Sequence, residues 1–482
     1  VDSVGGNDAN SGQAEDQAVK SQSKIPSGCT VIRYKRGSTF NEAVAVSGTN
    51  KTYTNYGNSS DPLPRFVVPH TANSGSLLSS FQGGVTVDGL YLSGSKGDGT
   101  MAGLIKGVCV TLGSNSKLLN SEISNCDIGI MLQGTGSLVQ GNYIHDLTMA
   151  VDAASGVDPN VVGGAEGIFI NGSNNEVAYN AFINCSSTAA WTGGSCDGGA
   201  TEVTVGAGAT LSGVKVHHNF SYNSCGFFEV SSGVQNNVGG TFADSEFFDN
   251  VSIDSGWLML LQVNNTTLSN IKWENNTIVQ HKGSANAGML VTVFTGTSSG
   301  VSGGALNKGT VFLTNNFIIL DGFTQQDYVM GLDANLEQLN NRIVKSPAEN
   351  PGVVNVAGTA PADFDLVSGS PAIDQGASTD HTLDYLNRVV PDPSGKTDIG
   401  AFEYNATPST SAGGAMGLGG AATAPVGGQA AQNAGTAGSK ADSSGCSCRL
   451  VRSRTRLPVT LAILGTALLL RRRRHSPGNR RQ

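Results

Sequence analysis

The sequence predicts an all-β solenoid, a parallel β-helix wound from short strands, and three observations predict it. A small polar residue followed four positions later by Asn or Asp recurs through residues 117–280. A row of charged residues keeps a fixed offset from that motif. No long amphipathic helical pattern occurs before residue 330, and the chain carries 65 Gly with only 14% charged and 6% aromatic residues. Such a composition suits many turns and small side chains rather than packed helices.

The anchor pairs are Ser121/Asn125, Asn142/Asp146, Asn180/Asn184, Asn219/Asn223 and Asn250/Asp254, with Asn276/Gln280 and Asn316/Leu320 as weaker continuations. Apolar or aromatic residues alternate between the members, as at Ile123, Ile144, Phe182 and Ile278. The first interval is 21 residues and the next are 38, 39, 31, 26 and 40. A minimum near 21 with variable excess describes a coil into which loops are inserted. Asn and Asp tolerate tight-turn dihedrals, and their side chains can bond turn backbone or stack on copies above and below. An offset of four also fits a helix. Strings such as Val-Gln-Gly-Asn-Tyr-Ile-His and Val-Ser-Ile-Asp are instead short, Gly-punctuated and β-prone.

Four places before each anchor stand Lys117, Leu138, Glu176, Lys215, Glu246 and Lys272. The last four alternate in sign, as neighbours on coils about 4.8 Å apart would. Surface pairs of this kind are structural and stabilise by about 0–1 kcal/mol each.

The same register singles out a face for chemistry. Ala-Thr-Glu-Val at 200–203 overlays Phe-Phe-Glu-Val at 227–230, which sets Glu202 over Glu229. Tyr179, His218 and Asp249 share the place just before the anchor. A Gly-rich excursion at about 186–200 carries Trp191, which can stack on a sugar ring, and Asp197, which lies close to Glu202 in the chain. Further Gly-, Asp- and Ser-rich loops occur at 94–103 and 153–165. If the carboxylates part, the Glu166 and His145–Asp146 region is the next place to look.

Charge narrows the partner. Ten of the 29 basic residues are Arg within 441–482, against one acid there, so the remainder holds 19 bases and 36 acids, a net −17. A body so acidic is expected to bind no nucleic acid, which needs a basic surface. A polyanionic glycan would need calcium or a local basic patch. Six of the eight Cys lie in this body, an even number that permits disulfides, and Cys185 with Cys196 is the expected first pair.

Two stretches carry a family resemblance. The chain opens Val-Asp-Ser-Val-Gly-Gly-Asn-Asp-Ala-Asn-Ser-Gly and reaches Val-Ile-Arg-Tyr-Lys-Arg-Gly-Ser-Thr-Phe at 31–40. Later it reads Leu-Val-Ser-Gly-Ser-Pro-Ala-Ile-Asp-Gln-Gly from 366 and Asp-Ile-Gly-Ala-Phe-Glu-Tyr at 398–404. Together these resemble bacterial secreted right-handed parallel β-helix proteins of the pectate-lyase-like surface type. The resemblance implies a single-stranded right-handed β-helix whose terminal module seals the last coil. Asp2, Asn7, Asp8 and Asn10 offer oxygen ligands for calcium, with capping turns the favoured role.

Thr407 to about Ser444 is a flexible Gly/Ala/Ser/Thr linker. Gly445-Cys446-Ser447-Cys448, the apolar run Leu457–Leu470 and Arg471–Arg474 follow. That order resembles C-terminal protein-sorting tags of Gram-negative, myxobacterial type, which implies cleavage near Cys446 and Cys448. The protein would then be extracellular and held at the outer-membrane surface, its tail in the membrane as a short hydrophobic helix before processing. The chain thus divides into an N-terminal cap with first strands (1–66), coils (67–345), a C-terminal module (346–405), a linker (406–444) and the tag (445–482).

For function, a β-helix of this kind is expected to act on a polysaccharide or cell-surface glycan, as a monomer. A hydrolase needs two carboxylates, for which Glu202 and Glu229 are the candidates. A lyase needs a base, here His218 or Lys215, and a cation such as calcium held by Asp197, Glu202 and Glu229. Trp191, Tyr179 and Asp249 would line the substrate. A non-catalytic adhesin or glycan binder is the competing expectation.

Overall fold

The computed structural model describes residues 1–68, 76–94, 108–147, 164–188, 196–206, 208–232, 240–262, 266–281, 283–284, 291–294, 307–321, 335–345, 347–393 and 395–408. These form a right-handed parallel β-helix with three sheets along its length. The first sheet runs from Val31–Lys35 to Glu337–Leu339, the second from Thr39–Phe40 to Arg342–Val344, and the third from Leu78–Ser80 to Val291–Phe294. Stacking therefore begins at Val31, well before residue 67.

One coil shows how the sequence folds. Glu176–Ala178 lies in the first sheet, Tyr179 turns the chain with φ 57°, Asn180 follows, and Ala181–Cys185 enters the second sheet. The same position turns with positive φ at Asn120, Gly141, His218, Asp249, Asn275, Asn315 and Asn340. Asn, Asp and Gly tolerate this left-handed region best; Tyr179 and His218 hold it only because their surroundings do.

Each Asn that follows is buried and fully bonded. Asn142, Asn180, Asn219, Asn250 and Asn276 each donate Nδ2 to the Oδ1 of the Asn on the next coil at 2.9–3.0 Å, and Asn316 does so to Asn341 at 2.8 Å. The second Nδ2 hydrogen goes to a carbonyl on the coil below, as from Asn219 to Val177 at 2.9 Å. Each Oδ1 also takes the backbone N–H of the preceding anchor, Ser121 in the case of Asn142 and an Asn in the others, as Asn219 does from Asn180 at 2.9 Å. Asn276 and Asn316, which look weak in sequence, are full members, and Asn341 extends the row. The residues four places on form a second row: Asn184 bonds Asp146 at 2.9 Å and Asn223 bonds Asn184 at 2.8 Å.

The charged row is in register as expected, with Lys117, Leu138, Glu176, Lys215, Glu246 and Lys272 on successive first-sheet strands. Lys215 and Lys272 both reach Glu246 at 3.5 Å. Inside the coil, Phe182 is followed in register by Ser221 and Ser252. Aromatics from the other two sheets pack together in the interior: Phe247 stacks on Trp273 at 4.4 Å, and Phe228 packs against Phe247 at 4.1 Å.

The C-terminal module lies along the flank of the solenoid. Val251, Ile253, Val279, Phe317, Ile319 and Val344 of the second sheet pack against Phe364, Tyr385, Ile399 and Phe402. The module covers this apolar sheet face. The module is built around its acids. Asp384 accepts N–H from Leu386, Arg388 and Glu403, and Arg388 bridges Asp384 and Asp365 at 2.7 and 2.8 Å.

The disulfides are Cys109–Cys126 and Cys196–Cys225, leaving Cys29 and Cys185 free. The expected Cys185–Cys196 pair is not formed, because Cys185 lies within a strand of the second sheet and Cys225 begins the next coil beside Cys196. Of the N-terminal acids, Asp2 caps a turn, accepting Val4 and Gly5 N–H, and pairs with Lys35 at 2.9 Å, whereas Asp8 ties two segments together by accepting from Lys20 and Ser21. Residues 409–482, with Cys446, Cys448 and the apolar run, lie outside the described residues. Among the described residues no helix is long and apolar enough to cross a membrane.

Replacing Asn219 by Ala strands the Val177 carbonyl and the Asn180 amide groups. At about 1–3 kcal/mol per buried unsatisfied group, the loss should be roughly 3 kcal/mol or more in urea unfolding of the full chain. A loss under about 1 kcal/mol would mean that the ladder adds no stability.

Candidate active site

The third sheet carries the site. Its strands Ile128–Leu132, Glu166–Ile170, Gly199–Val205, Gly226–Ser232 and Trp257–Gln262 stack in parallel. In register, Met131, Phe169, Glu202, Glu229 and Leu260 form one row. Glu202 therefore does lie over Glu229, both half-buried, between Phe169 on one side and Leu260 on the other. Their neighbours Val203 and Val230 point inward and are fully buried, which sets the two carboxylates on the outer face.

A third carboxylate joins them. One oxygen each from Glu166, Glu202 and Glu229 lie within 4.8 Å of one another. Glu166 pairs with Gly199, three places before the Phe169–Glu202 pair. Strict alternation would put it on the inner side with Ile168. Instead Gly167 also faces inward, where a Cβ would stand 2.6 Å from the Phe182 ring. Two successive inward residues return Glu166 to the outer side, and a Cβ at Gly199 would stand 3.6 Å from its Oε2. This break in alternation is why the sequence offers Glu166 only as a second choice.

The electrostatics follow from that geometry. Burial first, then the charges of Glu202, Glu229, Asp197 and Asp127, hold the Glu166 carboxyl well above the ordinary carboxylate range. Thr204 donates its hydroxyl to Glu202 Oε1 at 3.2 Å. Asp197 is beside the cluster, its Oδ2 accepting Gly164 N–H at 3.2 Å. The excursion that carries it is held by antiparallel pairing of Ser187–Thr188 with Cys196–Asp197 and by the Cys196–Cys225 bridge. Glu166, Glu202 and Glu229 have hard oxygen ligands placed to close on a divalent cation such as calcium.

The other expected site residues are elsewhere. Lys215 lies on the first sheet against Glu246. Tyr179, His218 and Asp249 occupy the left-handed corner between the first two sheets, beneath the C-terminal module. Tyr179 donates to Asn387 at 2.7 Å, and His218 Nε2 meets the Asp384 carbonyl at 2.9 Å. Burial, with His217 adjacent, holds His218 well below its ordinary value and therefore neutral, while burial and Asp384 hold Asp249 well above its own. A shared repeat position groups these three with the carboxylates in sequence, but that position is a corner packed against a distant segment. Trp191 lies outside the described residues. The fallback His145 is on the second sheet. Burial lowers its pKa, but bonds to Asp146 and Glu122 outweigh this and raise it to about 9.

No protein-family model matches the chain, and no curated protein matches it. Among solved structures it is similar to the GH136 lacto-N-biosidase from Eubacterium ramulus, at 14% identity and TM-score 0.38, over 65% of this chain and 67% of that one. Pectate lyase Pel9A is similar at 14% identity and TM-score 0.37, over 84% and 96%. The tailspike protein of E. coli bacteriophage HK620, in a doubly substituted form, is similar at 14% identity and TM-score 0.39, over 72% and 63%.

The raised Glu166 has a thermodynamic consequence. Its folded-state value exceeds the unfolded one, about 4.3, so ionisation costs the folded chain more than the unfolded one. Glu166→Gln should therefore gain stability relative to the parent as pH rises above that unfolded value. Parallel pH profiles of stability for the two proteins would show that Glu166 titrates normally.

Proposed function

We propose that the outer face of the third sheet hydrolyses glycosidic bonds in a polysaccharide or cell-surface glycan. The observation that carries the reading is the meeting of Glu166, Glu202 and Glu229 within 4.8 Å, with only Glu166 deeply buried. Glycoside hydrolysis needs one carboxyl kept protonated and one ionised, and environments that push two acids apart supply both. Glu166 is the general acid. Glu202, bonded by Thr204, is the ionised partner, and Glu229 shares its face. The spacing fits the roughly 5–5.5 Å of retaining enzymes better than the roughly 6.5–9.5 Å that leaves room for an attacking water. Double displacement follows: Glu202 attacks the anomeric carbon as Glu166 protonates the departing oxygen, and Glu166, now ionised, then takes a proton from the water that displaces Glu202 and releases the sugar.

Elimination is less well supported. The bases available to it, Lys215 and His218, are committed to Glu246 and to the Asp384 carbonyl on other faces. We further propose that the protein acts outside the cell, held at the surface through its C-terminal tag. The Gly-Cys, apolar run and Arg order of the tail supports this.

The purified chain incubated with a glycan panel should release reducing ends without ultraviolet absorbance from an unsaturated product. Glu202→Gln and Glu229→Gln should each lower turnover at least about 100-fold, a loss of roughly 3 kcal/mol in barrier lowering. Activity should also fall as pH rises through the elevated Glu166 value. An absorbing product lost to chelator would establish calcium-dependent elimination, and glycan binding without turnover would leave an adhesin.

For the tail, Cys446→Ala with Cys448→Ala should abolish surface retention. Unchanged retention and mass would point to an uncleaved anchor.

A further inference from the structure

Double displacement gives Glu166 and Glu202 the bond-making steps and leaves Glu229 to hold the substrate. The strongest electrostatic influences on Glu166 all come from acids, Glu202, Glu229, Asp197 and Asp127. Glu166 itself is only 6% exposed, and among the described residues no hydrogen-bond donor meets its carboxyl, although it reaches to within 4.8 Å of Glu202 and Glu229. Beyond the site, the part of the chain before residue 441 carries a net −17. A substrate that brings its own positive charge would relieve this repulsion, whereas a uronate would add to it.

The surroundings indicate what bears that charge. Half-buried Phe169 precedes Glu202 in the register row, and Leu260 follows Glu229. A bare metal ion gains nothing from these side chains. A sugar can lay its apolar ring face on Phe169 while an amine on the same ring reaches the carboxylates.

We infer that the glycan taken by this face carries free protonated amino groups, as a polymer of 2-amino-2-deoxy sugars does. The inference rests on the hydrolytic reading for the site's role and adds the substrate class. Glu202 attacks the anomeric carbon and Glu166 protonates the leaving oxygen. Glu229 forms the ammonium–carboxylate pair, which an N-acetyl group cannot make.

Calorimetry on the full chain tests it with three probes at one pH and low salt: a glucosamine hexamer, the N-acetylglucosamine hexamer, and a galacturonate hexamer with and without calcium. The glucosamine hexamer should bind at least about tenfold tighter than the acetylated one, with affinity falling as salt rises. Glu229→Gln should remove most of that preference, and the near-isosteric Glu202→Gln provides a second variant should the first misfold. Equal or tighter binding of the acetylated hexamer, or tightest binding of galacturonate with calcium, overturns the inference. So does a preference unchanged in both variants, which would assign it to the net charge of the body alone. Reducing ends from the acetylated hexamer only would leave hydrolysis standing and sink the amino-sugar class. Selective amine binding with no cleavage of any probe would sink hydrolysis alone.

Discussion

Everything in this solenoid hangs on a buried amide that bonds to its own copy one coil away. An Asn side chain has two donor hydrogens and an oxygen that accepts twice, and the corner row uses all four. Ser121, at the same place one coil before Asn142, accepts the Leu90 N–H and donates to the Leu119 carbonyl, but one hydroxyl hydrogen cannot make the fourth bond that an amide makes. From Asn142 to Asn341 the row bonds each coil to the next and so helps to fix their register. Once it is in place, the facing of all other residues follows from alternation, including the outward placement of Glu202 and Glu229.

The second constraint is an apolar sheet that its own coils cannot cover. From Val251 onward the second sheet turns Val, Ile and Phe outward, and the C-terminal module supplies the missing layer. Its acids are engaged by backbone N–H groups and by Arg388, so they serve the module's own fold. Docking of that layer also converts polar corner residues into buried ones. His218 and Asp249 lose water, each moves toward its neutral form, and neither is left to act on a solvent-borne substrate.

The third sheet is where the fold accepts an unfavourable arrangement. Like charges on adjacent coils repel, and a half-buried location screens them less than bulk water does. Thr204 and the pinned Asp197 excursion hold the group together. An acid kept neutral next to ionised ones is the usual condition for proton transfer at neutral pH. Removing the charges should stabilise the coils and, if the proposed hydrolysis holds, abolish it, which is the expected trade between a site and its scaffold.

The solenoid, the Asn corner, the charge row and the Glu202–Glu229 overlay were all legible in the sequence, because each depends on a local repeat whose members become neighbours merely by stacking. What the repeat could not show was which parts of the molecule meet across long separations. Glu166 joined the carboxylates through a break in alternation at Gly167, where the Ala200 carbonyl and the Phe182 ring, both on other strands, leave no room for a side chain. Tyr179, His218 and Asp249 left the site because residues 384–387 cover their corner. Cys196 chose Cys225 over Cys185 because of how its excursion folds back. Periodicity carries which coil and which face; contacts between non-repeating segments are carried only by the folded chain, because nothing in the spacing of one encodes the position of the other.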